Sequence, residues 1–182
     1  MNPDTQDPIR KPVTFNDPAV MAAVVRWWAW LNENPRERAL LRRCHTPQDV
    51  AFTRGYARLR ADLLAHGNVN HEALALVAGV LAHVRENTGD AIRSPAPVAV
   101  QMATGKPGSE TPAVSDLRFR RLIAARGPAD LYPAMIRAVR LLGLAAHVPS
   151  LAKGLYWWND LTRQTWTFAY DETLLTKKTT KE

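Results

Sequence analysis

The sequence predicts an all-α protein, built as two packed helical bundles of about four helices each that are joined by a loop-rich linker. Three observations favour this fold class. Prolines follow capping residues where a helix could begin, apolar residues recur at helical spacing, and no segment shows the apolar–polar alternation of a strand. With 182 residues, of which 46% are hydrophobic, the chain is long enough to bury a sizeable core.

Proline marks the predicted helix starts most clearly, because it loses no helical hydrogen bond at the first position of a helix. The candidate starts are Asp17-Pro18, Asn34-Pro35, Thr46-Pro47 and Gly127-Pro128. The helices predicted in the first half of the chain cover residues 18–31, 35–43, 47–65 and 71–86. The last of these is almost continuous alanine, leucine and valine, so we expect it to be the most buried helix of this half.

The second half begins after a change in composition. Residues 89–113 are rich in glycine and proline, which interrupt any long helix, although residues 98–103 could form a turn or two. The helices predicted beyond this stretch cover residues 115–126, 128–143, 149–160 and 161–175. The predicted organisation is a flexible extension (1–17), an N-terminal bundle (18–92), a linker (93–113), a C-terminal bundle (114–176) and a tail (177–182).

The charge balance is the unusual feature of the composition. The chain has 24 Lys and Arg against 17 Asp and Glu, which gives a net charge of +7, and the basic residues are 18 Arg and 6 Lys. Because both signs are abundant, the excess indicates a folded protein with a positive surface and not a basic tail. The first class of partner it suggests is rich in phosphate, and the second is an acidic protein or a membrane surface.

Several classes of protein are excluded by simple features. The single cysteine, Cys44, cannot form an intramolecular disulfide framework and suggests a reducing setting. No apolar run approaches the roughly 18 residues needed to span a bilayer. Residues 1–10 are polar and show no secretory signal. We therefore expect a cytoplasmic protein without membrane association.

The residues with catalytic or metal-binding chemistry show no productive spacing. The five histidines lack the HxxxH or HExxH pattern that places two ligands on one helical face, and nothing marks Cys44 as an activated nucleophile. The segment 103–106 (ATGK) resembles the end of a phosphate loop, but Val100 stands in place of glycine and Pro107 in place of the magnesium ligand. We therefore expect no enzyme activity, no metal and no cofactor.

Outward-facing arginines of the second half carry more information. Residues 93–150 contain eight basic and three acidic residues, and helical spacing places five of the arginines away from the apolar stripes. The candidates for contact with a phosphate backbone are Arg118, Arg120, Arg121, Arg137 and Arg140. The alternative interpretation is an ordinary solvated helix face. Arg126 falls on the buried side, where we expect it to extend to solvent or to pair with a carboxylate.

The first half offers a second set of basic residues. Arg42 and Arg43 end the second predicted helix, where they either bind a ligand or complement the negative end of the helix. Arg54 and Arg58 follow at a spacing of four. Trp30 lies on the side of Arg26 and could stack on a base, although packing against the second half of the protein is the favoured alternative.

Taken in order along the chain, these motifs resemble a known family. They are a tryptophan-containing first helix, RALLRR at residues 38–43, SDLRFRRLIAAR at 115–126, and then Trp158, Arg163, Trp166 and Tyr170. Their order and spacing resemble the CasB family, the small subunit of the type I-E CRISPR surveillance complex called Cascade. The resemblance covers roughly residues 20–172, whereas the first 17 residues and the stretch 89–113 follow no pattern of the family.

The resemblance implies a non-enzymatic protein of two helical bundles, with two copies arranged head to tail inside the complex. It implies contact with the guide RNA (crRNA) and the target and non-target DNA strands, which stabilises the R-loop in antiviral defence. Such a role needs backbone-directed charge, because guide pairing supplies sequence specificity. By position, Arg42, Arg43, Arg118, Arg121, Arg137 and Arg163 match basic residues of the family.

The leading hypothesis is therefore a nucleic-acid-binding subunit whose partners are crRNA, DNA, other Cascade subunits and a second copy. Two alternatives remain open, a stand-alone DNA-binding protein or regulator and an adaptor for acidic proteins. The full set of predicted nucleic-acid contacts is Arg42, Arg43, Arg54, Arg58, Arg118, Arg120, Arg121, Arg137, Arg140 and Arg163.

Overall fold

A computed structural model describes residues 11–88, 96–105, 109 and 111–179 of the chain. Within these residues lie ten helices and one pair of very short strands, which confirms the predicted all-α class. The helices are α1 (Pro18–Glu33), α2 (Pro35–Arg43), α3 (Pro47–Ala51), α4 (Arg54–Leu64), α5 (His71–Leu81), α6 (Pro97–Ala103), α7 (Asp116–Ile123), α8 (Pro128–Leu141), α9 (Val148–Tyr156) and α10 (Asp160–Thr179).

The four helix starts predicted from proline are all present, at the first residue of α1, α2, α3 and α8. At α1 the side chain of Asp17 accepts a hydrogen bond from the Ala19 amide at 2.8 Å. At α3 Thr46 and Asp49 form a capping box, in which each side chain accepts from the backbone amide of the other. These caps satisfy amides that the helix itself leaves unpaired.

The single helix predicted over residues 47–65 is wrong, because the structure has two helices there. Phe52 ends α3, and Thr53 then caps α4 by accepting a hydrogen bond from the Tyr56 amide at 3.2 Å. The apolar spacing continues through this break, whereas the local hydrogen bonding of the threonine favours a new start. The break leaves the Phe52 side chain 92% exposed.

The expectation that no strand would be present is also corrected, on a small scale. Strand β1 (Glu86–Asn87) pairs in parallel with β2 (Ala145–Ala146). The segment before β2 turns through Gly143 and Leu144, both of which have positive φ. This pairing connects the end of α5 to the end of α8, and the Arg85 amide donates to the Leu144 carbonyl at 2.7 Å beside it.

Helix α5 lies at the centre of the protein. Residues 74–81 are all buried, as the run of alanine, leucine and valine predicts. The helix contacts α2, α3 and α4 from the first half of the chain and α8 and α9 from the second. A Cβ at Gly79 would lie 2.5 Å from the Tyr132 ring of α8, so the close packing of α5 and α8 depends on this glycine. The buried side chains form one cluster that includes both halves, and the division into two bundles stays a prediction.

The predicted linker contains a buried helix. Helix α6 occupies the stretch where the sequence suggested a turn or two, and it packs against α10 and α9. Lys177, in the predicted tail, is part of α10, and its ammonium donates to the Ala103 carbonyl at 3.1 Å. Residues 93–95, 106–108 and 110 of the predicted linker and residues 180–182 of the predicted tail lie outside the described residues.

Part of the predicted flexible extension belongs to the core, which corrects the expectation for residues 11–17. Val13 and Phe15 are buried, and the Phe15 ring stacks on Tyr156 of α9 with centroids 4.1 Å apart. The Val13 amide also donates to the Asn68 carbonyl at 2.8 Å. Residues 1–10 lie outside the described part of the chain.

We expect Phe15→Ala to lower the free energy of unfolding by about 3 kcal/mol, because it removes a buried aromatic side chain and leaves a cavity beside Tyr156. Urea denaturation followed by circular dichroism measures this difference. Asn16→Ala, at the exposed neighbouring position, is the matched control and should change stability little. Equal stability of the two variants would show that residues 11–17 do not contribute to the core.

Candidate nucleic-acid interface

Four of the predicted arginines come together in one groove between α7 and α8. Arg118 and Arg121 project from α7, and Arg137 and Arg140 project from α8, around a cavity of about 420 Å³. The remaining lining is apolar or small: Val114, Leu122, Ala134, Ala138 and Leu141. All four arginines are exposed, and within the described residues none of them forms an ion pair.

The apolar faces of α7 and α8 hold the arginines in this position. Phe119 of α7 is buried and stacks on Tyr170 of α10 with ring centroids 3.8 Å apart. The Tyr170 hydroxyl donates to the Val114 carbonyl at 2.7 Å, and burial, with a smaller contribution from nearby carboxylates, raises the pKa of Tyr170 to about 12. The hydroxyl therefore stays protonated at neutral pH and keeps its donor role. With the apolar side of α7 fixed, Arg118 and Arg121 must face the groove.

Arg120 lies on a different face of α7. Its guanidinium pairs with Asp116 at 3.1 Å and with Asp171 of α10 at 3.4 Å. These hydrogen-bonded carboxylates raise the pKa of Arg120. The side chain is exposed, so each pair contributes little to stability, but its charge is already balanced within the protein.

Arg163 is mostly enclosed by neighbouring groups. Its guanidinium donates to Asp160 and to the Ile123 carbonyl, the latter at 3.4 Å. Arg126 lies 3.9 Å from Asp160, in line with the expectation that it pairs with a carboxylate. The structure thus joins α7 and α10 through Arg163 and leaves this predicted contact residue with protein partners.

The arginines of the first half occupy two other places. Arg43 and Arg54 lie beside the exposed Phe52 around a shallow cavity at the α3–α4 break. Arg58 of α4 stacks over the Trp30 ring of α1, with 4.4 Å between the guanidinium carbon and the ring centroid. Trp30 therefore packs against a helix of its own half, which corrects the favoured expectation that it packs against the second half, and one ring face is covered.

Arg42 belongs instead to a group of basic residues around the end of α5. Arg42 of α2 and Arg140 of α8 both lie close enough to His83 for their charges to act on it. His83 is 3% exposed, and its pKa is lowered to about 4 by burial first and by these two arginines second. Arg140 also lines the groove, so this residue belongs both to the groove and to the basic group near His83.

Arg38 and Arg85 complete this group, and the sequence alone did not single them out. Arg38 is 7% exposed, donates to the Val84 carbonyl at 3.1 Å and lies over the Trp28 ring. Burial and the charges of Arg85 and Arg42 lower its pKa. The spacing of four between Arg38 and Arg42 puts both on one helical face, a signal that could have indicated the pair. Their meeting with residues near position 85 depends on tertiary packing.

Other kinds of site are not supported by the described residues. In this part of the chain, no three His, Cys, Asp or Glu side chains come close enough together to hold a metal ion. Cys44 is half-buried, and burial and the charge of Asp49 raise the pKa of its thiol, which disfavours the reactive thiolate. Among the described helices, none combines the length and apolar character that crossing a bilayer requires.

The fold and site therefore define an all-α protein with a groove lined by four exposed arginines. The sequence model of a family described as CRISPR-associated protein Cse2 matches residues 37–170, which is more than half of the chain. The chain belongs to this family, also called CasB, and is a small subunit of the type I-E Cascade complex. No curated protein and no solved structure gives a significant match to it.

We expect the buried neutral His83 to make stability depend on pH. Its pKa of about 4 in the folded chain lies below the ordinary value of 6.5, so the unfolded chain binds the proton more tightly. The stabilisation is complete above about pH 6.5 and is lost as the pH falls toward about 4. Between about pH 7.5 and about pH 5, the free energy of unfolding of the wild type should fall by about 2 kcal/mol more than that of His83→Leu. Urea denaturation across this range measures the difference, and parallel profiles would contradict it.

Proposed function

We propose that this small subunit is non-catalytic and binds nucleic acid through the phosphate backbone, and that it thereby stabilises the crRNA-guided R-loop of Cascade in the cytoplasm. The observation that carries the proposal is the groove between α7 and α8, which is lined by four exposed arginines without carboxylate partners among the described residues. Folded proteins normally balance such charges, so their concentration at one groove favours an anionic ligand.

The spacing of the arginines suits a repeated anion. Arg118 and Arg121 are three residues apart on α7, and Arg137 and Arg140 repeat this spacing on α8. Each pair therefore lies about one helical turn apart along its helix. Guanidinium groups bind phosphate oxygens in a two-pronged manner, and two rows of them can follow successive phosphates of a strand.

The groove offers few kinds of side chain for reading base identity. Apart from the arginines, its lining consists of small and apolar side chains, with no Asn or Gln that would pair with adenine. An apolar floor between charged walls suits a strand held by its backbone, as the displaced and target strands of an R-loop are when guide pairing supplies specificity. This favours the proposed role over a sequence-specific regulator.

The partners we propose are crRNA, both DNA strands, other Cascade subunits and a second copy of the chain. Apolar side chains exposed on α10 support contact with protein, because Leu161, Phe168 and Leu175 recur every seven residues and form one stripe. The exposed Phe52 is a second apolar contact point. Unlike the stripe on α10, it has two arginines beside it, Arg43 and Arg54. The adaptor alternative rests on the same arginines and differs in that its ligand would be an acidic protein.

Replacing Arg118, Arg121 and Arg137 together with glutamine should weaken binding of a single-stranded oligonucleotide. The salt dependence should also weaken. In a plot of the logarithm of the binding constant against the logarithm of salt concentration, the slope should become shallower by about 2, since three phosphate contacts are lost. Fluorescence anisotropy at several salt concentrations measures both effects. Circular dichroism should show a folded variant, because all three side chains are exposed.

The matched control is Arg36→Gln, Arg126→Gln and Lys153→Gln in one chain, which removes the same charge from exposed positions outside the groove. It should keep most of the affinity and of the salt dependence. Equal weakening by the two triple variants would contradict the groove assignment. Strong preference of the wild type for one duplex sequence, or binding that is insensitive to salt, would favour the alternative functions.

A further inference from the structure

Five basic side chains gather around the end of α5, and we refer to them as the α5 basic cluster: Arg38, Arg42, His83, Arg85 and Arg140. They come from α2, from the turn after α5 and from α8. The charges of Arg42 and Arg140 lower the pKa of His83, and the charges of Arg85 and Arg42 lower the pKa of Arg38. Within the described residues, no carboxylate forms an ion pair with any of the four arginines.

Arg38 makes this arrangement costly without a ligand. A buried guanidinium is normally paired with an acid, because an uncompensated charge is expensive to remove from water. Arg38 donates only to the carbonyls of Val84 and Trp28, and its Nε has no hydrogen-bond partner in the described structure. The charges that lower its pKa belong to two further arginines, Arg85 and Arg42, so its own positive charge is not balanced by them.

His83 supplies an independent observation. Its side chain is almost fully buried, and neither ring nitrogen has a hydrogen-bond partner among the described residues. Buried polar groups are nearly always paired, so the two ring nitrogens without partners favour a hydrogen-bonding ligand at this position. The charges that face His83 are Arg42 from α2 and Arg140 from α8, and both are positive.

We propose that the α5 basic cluster is a seat for one backbone phosphate of bound nucleic acid, in which Arg42 and Arg140 hold the phosphate and His83 donates a hydrogen bond to it. This inference rests on the proposed function, since Arg140 belongs to both the groove and the cluster. In this proposal, a strand that leaves the groove at Arg140 continues to the cluster. The side chains of Arg42 and Arg140 are exposed, and the proposal requires them to move apart to admit the phosphate to the buried His83.

A proton should be taken up when the seat is filled. In the free chain His83 is neutral at pH 7, because burial and two arginines disfavour its charged form. A phosphate beside the ring reverses the sign of the nearest charge and favours the protonated form, in which both nitrogens donate. Backbone phosphates do not titrate in this range, so the proton must be bound by the protein, and affinity must rise as the pH falls.

The test is the affinity of the full chain for oligothymidylate at constant ionic strength between about pH 7.5 and about pH 5.5. We expect the wild type to bind about threefold or more tightly at the lower pH, and His83→Leu to lose this increase. His66→Asn, at an exposed histidine, should keep it and serves as the control. Calorimetry in two buffers of different ionisation enthalpy should show matching proton uptake by the wild type.

Arg140→Gln keeps the proposal testable even if His83→Leu does not fold, because Arg140 is exposed. This variant should lose most of the proton uptake, whereas Arg36→Gln, on the same helix as Arg42, should retain it. Proton uptake as large as that of the wild type, in Arg140→Gln or in a folded His83→Leu, would overturn the proposed seat. The proposed function would remain intact. Failure of the wild type to bind the oligonucleotide at low salt would overturn both.

A calorimetric titration with inorganic sulfate distinguishes a backbone phosphate from a free anion. The seat is proposed as the continuation of the groove, so sulfate alone should cause little proton uptake. Uptake by sulfate equal to that with oligothymidylate would assign the cluster to a small free anion and overturn the proposal.

Discussion

The burial of α5 is the constraint on which the rest of the structure depends. Residues 74–81 have no exposed side chain, so the helix is stable only when other helices cover it on all sides. Helices from both halves of the chain do so. Because α2 and α8 cover the same helix near its end, arginines that lie about a hundred residues apart in sequence meet around His83.

The distribution of charge follows from this packing. Arg120 of α7 and Arg163 of α10 have carboxylate partners. Both lie where these two helices meet, and they help to join them. Arginines in the groove and around the end of α5 have none among the described residues. Clustering like charges costs stability, so this separation of paired from unpaired arginines supports the proposal of an anionic ligand.

Local chemistry made much of the fold predictable. Proline after a capping residue predicted four helix starts, and the uninterrupted apolar run predicted the burial of α5. The break at Thr53 was missed because its apolar spacing continues. The core positions of Val13 and Phe15 were missed because an extended segment has no periodic signal, and its partners Asn68 and Tyr156 are distant in the sequence.

Part of the candidate site was also predictable from local features of the sequence. Helical spacing identified the arginines of α7 and α8, and the outward side of a helix is a local property. Whether an outward arginine meets a carboxylate is a tertiary property, so Arg120 and Arg163 could not be separated from Arg118 and Arg121. His83 and Arg38 acquire their proposed roles only when α2, α5 and α8 assemble.

Photochemical cross-linking of the purified chain to single-stranded DNA, with mass spectrometry of the cross-linked peptides, is the most direct test of nucleic-acid binding at the groove. We expect cross-links in α7, α8 and the turn after α5, and cross-links confined to α9 and α10 would contradict binding of the strand at the groove.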